Sequence, residues 1–137
     1  MIEKEFIPYE LALELKQLGF DEHCLSYYDK EEKLCRSLLE YPIVNSKNGF
    51  HHSHNIITAP LYQQAFRWFR EKHNLIGGIE YIGGLKPKTT WWDIYVVGHY
   101  NIDSKKMEMK YQPYEEAELA CLKKLIKIAK EKNNEQQ

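Results

Sequence analysis

The chain has 137 residues with 19 Lys and Arg against 20 Asp and Glu, a formal net charge of −1, so its overall field gives no general attraction to nucleic acid or anionic membrane. Hydrophobic residues make up 43% and charged residues 28%, the balance of a globular chain that can bury a core without disulfide or metal staples. Cys24, Cys35 and Cys121 are an odd set with no Cys-x-x-Cys spacing, which argues against a disulfide framework and predicts free thiols in a reducing compartment.

Residues 8–20, PYELALELKQLGF, read as the first helix, with Pro8 at its start and Leu11, Leu15 and Leu18 on the buried stripe. Gly19 stops it, and Phe20 is placed to fold back on Leu15 as in a Schellman motif. From His23 to Arg36 two short apolar segments flank the charged tip Asp29-Lys30-Glu31-Glu32, the pattern of a hairpin whose turn lacks glycine. Residues 37–41 extend the second strand or make a helical turn. Residues 42–58 have no sustained period and read as a long polar loop carrying three histidines, a length that points to function or mobility.

The helix expected over 59–75, APLYQQAFRWFREKHNL, has the strongest amphipathic signal in the chain. Leu61, Tyr62, Ala65, Phe66, Trp68 and Phe69 recur at spacings of three and four. Thr58 is its candidate N-cap, Pro60 suits the first turn, and Asn74 is a candidate left-handed stop. Gly77-Gly78 and Gly83-Gly84 then bracket a short strand at Ile79–Ile82. In the next strand, 91–97, Trp92, Ile94 and Val96 alternate with Trp91, Asp93, Tyr95 and Val97, and the first set is expected to face the helices. Met107, Met109 and Tyr111 suggest one more strand. The final helix, 114–132, has a stripe of Ala117, Cys121, Leu122, Leu125, Ile128 and Ala129, with acids in its first turn and lysines towards its end.

These elements predict an α+β fold: one domain over 1–132, three main helices packed on a small antiparallel sheet, and a frayed tail at 133–137. The N-terminal stretch MIEKEFIPYE has no apolar run suited to a signal peptide, and no run of eighteen apolar residues occurs anywhere. A cytoplasmic protein without a membrane partner is therefore expected.

Three blocks, FIPYELALELKQLGF at 6–20, APLYQQAFRWFREKHNL at 59–75 and YEEAELACLKKLIKIAKEK at 114–132, are similar to a group of small uncharacterised proteins of gut Bacteroidota and their phages and mobile elements. The resemblance implies a bacterial or phage origin and carries over no activity, ligand or catalytic residue.

Candidate chemistry is sparse. His51, His52 and His54 are the only histidine cluster, but adjacent histidines in an extended segment point oppositely and no helical His-x-x-x-His completes a site, so no metal or cofactor is expected. His23 beside Cys24 has the same geometric objection as a base-activated thiol, and Cys121 falls on a buried stripe. Asp93 sits between aromatic residues, with His99, Tyr100 and Asp103 following, but no second carboxylate of assignable geometry makes an acid–base pair. No phosphate-binding glycine loop or nucleophile elbow is present, so no catalytic residues are assigned and a small enzyme using the 93–103 region is a secondary reading.

Lys123, Lys124, Lys127 and Lys130 on the last helix offer a nucleic-acid alternative, superficially similar in layout to a double-stranded-RNA-binding domain. Glu115, Glu116 and Glu118 occupy the helix start where a phosphate would be received, and the net charge is wrong for affinity built on counterion release. The leading expectation is a non-enzymatic interaction protein that engages a protein or small ligand through Trp91, Asp93 and Tyr95 on one strand face and through the histidine loop.

Overall fold

Gly19 ends the first helix as its position predicts. In the computed structural model, which describes residues 2–37, 43–45, 56–83, 90–98 and 111–136, α1 spans Tyr9–Gln17 and Gly19 has φ +94°. The Gly19 N–H donates to Lys16 O (3.0 Å) and the Phe20 N–H to Leu15 O (2.9 Å), the two bonds of a Schellman stop. Phe20 and Leu15 are both buried, each worth about 1.5–3 kcal/mol of transfer free energy. Pro8 caps the other end through its carbonyl, which accepts from the N–H of Leu11 and Ala12.

The fold is α+β, and among the described residues there are three α-helices and two small antiparallel sheets, where the sequence suggests one sheet. The chain divides into two compact units, Met1–Gln64 and Ala65–Gln137. In the first unit, strands β1 (Ser26–Tyr28), β2 (Leu34–Arg36) and β3 (Ile57–Ala59) pair in the order β2-β1-β3. The predicted hairpin is β1–β2, with Tyr27 opposite Cys35. Its glycine-free turn closes because Asp29 Oδ1 accepts from the N–H of Glu31 (2.8 Å) and Lys33 (3.0 Å) while Glu32 takes a left-handed φ of 61°. Inside the unit the Tyr28 hydroxyl donates to Ile7 O at 2.7 Å and its ring meets Tyr9 edge-on.

Two sequence expectations fail at β3. Thr58 does not cap the following helix. It lies in the strand opposite Tyr27, its N–H donating to Asn45 Oδ1 at 3.1 Å, and the same Asn45 side chain donates to Phe20 O at 3.2 Å. Pro60 is likewise outside the helix: its carbonyl accepts from the Ile7 N–H, Leu61 bridges Phe6, and α2 starts only at Tyr62 and runs to Lys72. Strand pairing over a long sequence separation overrides a local capping signature. Of the loop expected over 42–58, Ile43 bridges Cys24 and Ile57 and Thr58 are in β3, while residues 46–55 lie outside the described residues.

In the second unit α2 ends as predicted, with Asn74 at φ 55°. Strands β4 (Leu75–Gly83) and β5 (Thr90–Gly98) form a ribbon of nine opposed pairs, from Leu75 opposite Gly98 to Gly83 opposite Thr90. The strand expected at 79–82 is thus longer at its start, and Gly77 and Gly78 lie within it. Space explains this: a Cβ at Gly77 would stand 2.8 Å from Leu125 Cδ1 and 3.0 Å from Cys121 Sγ, so the glycine admits the close approach of α3. Helix α3 runs from Tyr114 to Glu135, through Asn133 and Asn134, where the sequence suggests a frayed tail. Its buried stripe contains Ile126 in place of the expected Ile128, together with Ala117, Cys121, Leu122, Leu125 and Ala129. Ile94, Ala117 and Cys121 form a core against which Phe66, Ile79, Trp92 and Tyr111 pack. Of the strand expected over 107–111, residues 107–110 lie outside the described residues; Tyr111 pairs with Trp92 in both directions, N···O 3.0 and 2.8 Å.

Candidate functional site

Strand periodicity sorts the β4–β5 ribbon into two faces. Leu75, Gly77 and Ile79, with their partners Gly98, Val96 and Ile94, lie on the face that carries the core and α3. The opposite face carries Ile76, Gly78, Glu80 and Ile82, opposed in register by Val97, Tyr95, Asp93 and Trp91. The expected split of strand 91–97 is clear at Ile94, 5% exposed, against Tyr95 at 49% and Val97 at 39%, whereas Trp92 and Val96 on the inner face are only half-buried. Ile76 at 45% and Ile82 at 41% complete an outward apolar row, while Trp91 and Asp93 are half-buried.

Three features shape this face. The Tyr95 ring lies across Gly78, occupying the volume that a side chain there would need, so an aromatic surface replaces what would otherwise be bare backbone. Glu80 and Asp93 stand directly opposite one another near the middle of the ribbon. Asp93 Oδ1 accepts from the Ile94 N–H at 2.8 Å. On the other face, Trp92 lies edge-on between Tyr81 (5.2 Å) and Tyr114 (4.9 Å), which fixes it as a packing residue.

The remaining candidates separate. His51, His52 and His54 lie outside the described residues, as do His99, Tyr100 and Asp103. Among the described residues no group of three or more His, Cys, Asp and Glu is placed to hold a metal ion. Cys24 is buried beside an exposed His23, and burial, reinforced by the Glu22 charge, pushes its thiol up to about 12. Its Sγ contacts Gln64 Oε1 at 3.7 Å and Glu22 O at 3.6 Å. Burial also pushes the Cys121 thiol up to about 12, and its Sγ lies against Gly78 O. Both are held as neutral thiols, the form that is neither nucleophile nor metal ligand.

Lys123 and Lys127 are exposed on α3, Lys124 and Lys130 half-buried. Glu115 and Glu116 are exposed in the helix's first turn, and Glu118 is buried. Sequence reading misses Glu80, Ile76 and Ile82 as members of the candidate face, because their membership depends on the β4–β5 register, whereas Val97 follows from the alternation of its own strand. The alternation Ile76, Glu80, Ile82 is present in the sequence, but the paired glycines read as strand boundaries.

Among the described residues no helix is long and apolar enough to cross a membrane. Comparison with protein-family profiles, curated proteins and solved structures gives no match.

Proposed function

We propose that the chain is a non-enzymatic binding protein whose docking surface is the outer face of the β4–β5 ribbon. The observation that carries this reading is the outward row of Ile76, Ile82, Tyr95 and Val97 on a ribbon whose other face is occupied by its own core. Several exposed apolar side chains gathered on one face, with an aromatic among them, mark interaction surfaces more than they mark free surface. The resemblance of the helical blocks to proteins of Bacteroidota phages and mobile elements fits an accessory protein acting in the cytoplasm on a host protein.

The test is a pull-down from bacterial lysate with wild-type chain, Tyr95→Ala and Val97→Lys as baits, each first shown to melt like the wild type. A partner retained by the wild type and lost from both variants supports the reading. A partner captured equally by all three places the contact elsewhere. Salt-sensitive binding of duplex RNA that weakens in Lys123→Ala and Lys127→Ala favours the nucleic-acid alternative, against the acidic first turn of α3.

A further inference from the structure

The outer ribbon face is apolar at both ends and acidic near the middle. Ile76 and Val97 lie at one end, Ile82 and Trp91 towards the other, and Glu80 faces Asp93 across the strands between them. Directly opposed residues have Cβ atoms about 4.5–5.5 Å apart, and like charges so placed destabilise a sheet. Neither carboxylate has an ion-pair partner among the described residues. A ribbon that only had to be soluble has no need to set two negative charges against each other inside an apolar row.

The Asp93 hydrogen bond sets the geometry of the pair. Trp92 exchanges both backbone bonds with Tyr111, so the Ile94 N–H, two residues on, points to that same edge of β5, away from β4. By accepting this N–H, Asp93 Oδ1 draws its carboxylate towards the edge and away from Glu80. The two acids therefore face each other across the strand boundary, with Asp93 held from its outer side. Resting on the docking surface proposed above, we infer that this acid pair receives a cationic side chain, an arginine or lysine carried by an apolar segment of a partner protein. A planar guanidinium can donate to a carboxylate on either side, and Tyr95, two residues along the same face from Asp93, offers an aromatic ring beside it. Apolar neighbours on both sides reduce solvent screening of the contact.

The same charges disfavour the other occupants. A second copy docked face to face about a two-fold axis would set Glu80 and Asp93 against their own equivalents. Nucleic acid would bring phosphates to the acids.

A random-peptide display library panned on the immobilised full chain tests the inference, with Glu80→Gln/Asp93→Asn and Val97→Lys as comparison targets. Both amide replacements keep the side-chain shape, and the amide oxygen introduced by Asp93→Asn can still accept from the Ile94 N–H, so the double variant is expected to melt at or above the wild-type temperature. Glu80→Gln alone serves if it does not. Enriched peptides are expected to share an arginine or lysine among apolar residues. They should bind the double variant at least about tenfold more weakly, lose affinity with rising salt, and lose about as much when the cationic residue is replaced by citrulline or norleucine. Peptides that bind wild type and double variant equally but fail on Val97→Lys would overturn the cationic inference and leave the docking surface standing. No enrichment, or binding indifferent to Val97→Lys as well, would overturn both. Self-association in solution abolished by Val97→Lys would assign the face to a second copy and equally overturn the inference.

Discussion

The ring of Tyr95 lies across the backbone of Gly78 on one side of the ribbon, while one residue earlier Gly77 is closed over by Leu125 and Cys121 on the other. The two glycines make opposite demands. Tyr95 is half exposed and can swing away from a new methyl group, so Gly78→Ala should cost no more than about 1 kcal/mol, part of it returned by alanine's smaller entropy loss. Leu125 and Cys121 are fully buried, so Gly77→Ala should cost about 1–3 kcal/mol by overpacking. Urea melts of the two variants check the order. Adding Tyr95→Ala should relieve the penalty of Gly78→Ala and leave that of Gly77→Ala unchanged.

Trp92 and Trp91 are neighbours on opposite faces of β5. Trp92 is wedged between Tyr81 and Tyr114 and holds Tyr111 through its backbone, so Trp92→Ala should destabilise by about 2–4 kcal/mol, below the fully buried range because the ring is only half-buried. Tyr95→Ala, on the outer face, should shift stability by about 1 kcal/mol or less. A thermal melt that ranks Tyr95→Ala as the more damaging change would show the faces to be assigned the wrong way round.

Glu32 is a non-glycine residue in left-handed backbone at the β1–β2 turn. That conformation costs an L-residue about 1–2 kcal/mol, partly offset by glycine's greater loss of freedom on folding. Glu32→Gly should accordingly raise stability by about 0.5–1 kcal/mol in a denaturant titration. Asp29→Ala should lower it, because Glu31 and Lys33 each lose a carboxylate acceptor.

His73 packs edge-on against Trp68 at 4.7 Å and beside Phe69 at 5.5 Å. Burial, helped by the charge of Lys132, holds its imidazole below the ordinary histidine value of 6.5. As pH falls the unfolded chain takes up that proton first, so stability is whole above about pH 6.5 and declines as pH drops through the folded-state value. Melting temperatures measured down to pH 5 should fall more steeply for the wild type than for His73→Phe.

The three thiols should separate kinetically. Cys24 and Cys121 are buried with their ionisation suppressed, and Cys35 is partly accessible. A thiol reagent applied to the native protein at neutral pH should modify Cys35 first, the other two reacting at the rate of unfolding. Prompt loss of all three would contradict the packing of both units.

What the sequence makes legible here is mostly local. Gly19, Asn74 and the alternation of 91–97 announce themselves within a few residues, because left-handed stops and a half-buried strand depend on neighbouring side chains and backbone. Thr58 carries a local signature too, and it misleads: pairing with Tyr27, far upstream in the chain, decides its conformation. Gly77 and Gly78 look like punctuation until Leu125 and Tyr95 are placed beside them. The aromatic half of the candidate face, Trp91, Asp93 and Tyr95, is visible from one strand, whereas Glu80 joins it only through register. Nothing in the spacing of two acids separated by that connection indicates that they stand opposite one another.

The amide of Asn45 joins segments from three parts of the chain, giving a hydrogen to Phe20 O and taking one from the Thr58 N–H. Phe20, at the stop of the first helix, and Thr58, in β3, are therefore held to one amide, so the seating of that helix end and the register of β3 answer to the same side chain. A change at Asn45 loosens two elements at once that lie far apart in sequence, although the residue takes no part in the candidate face.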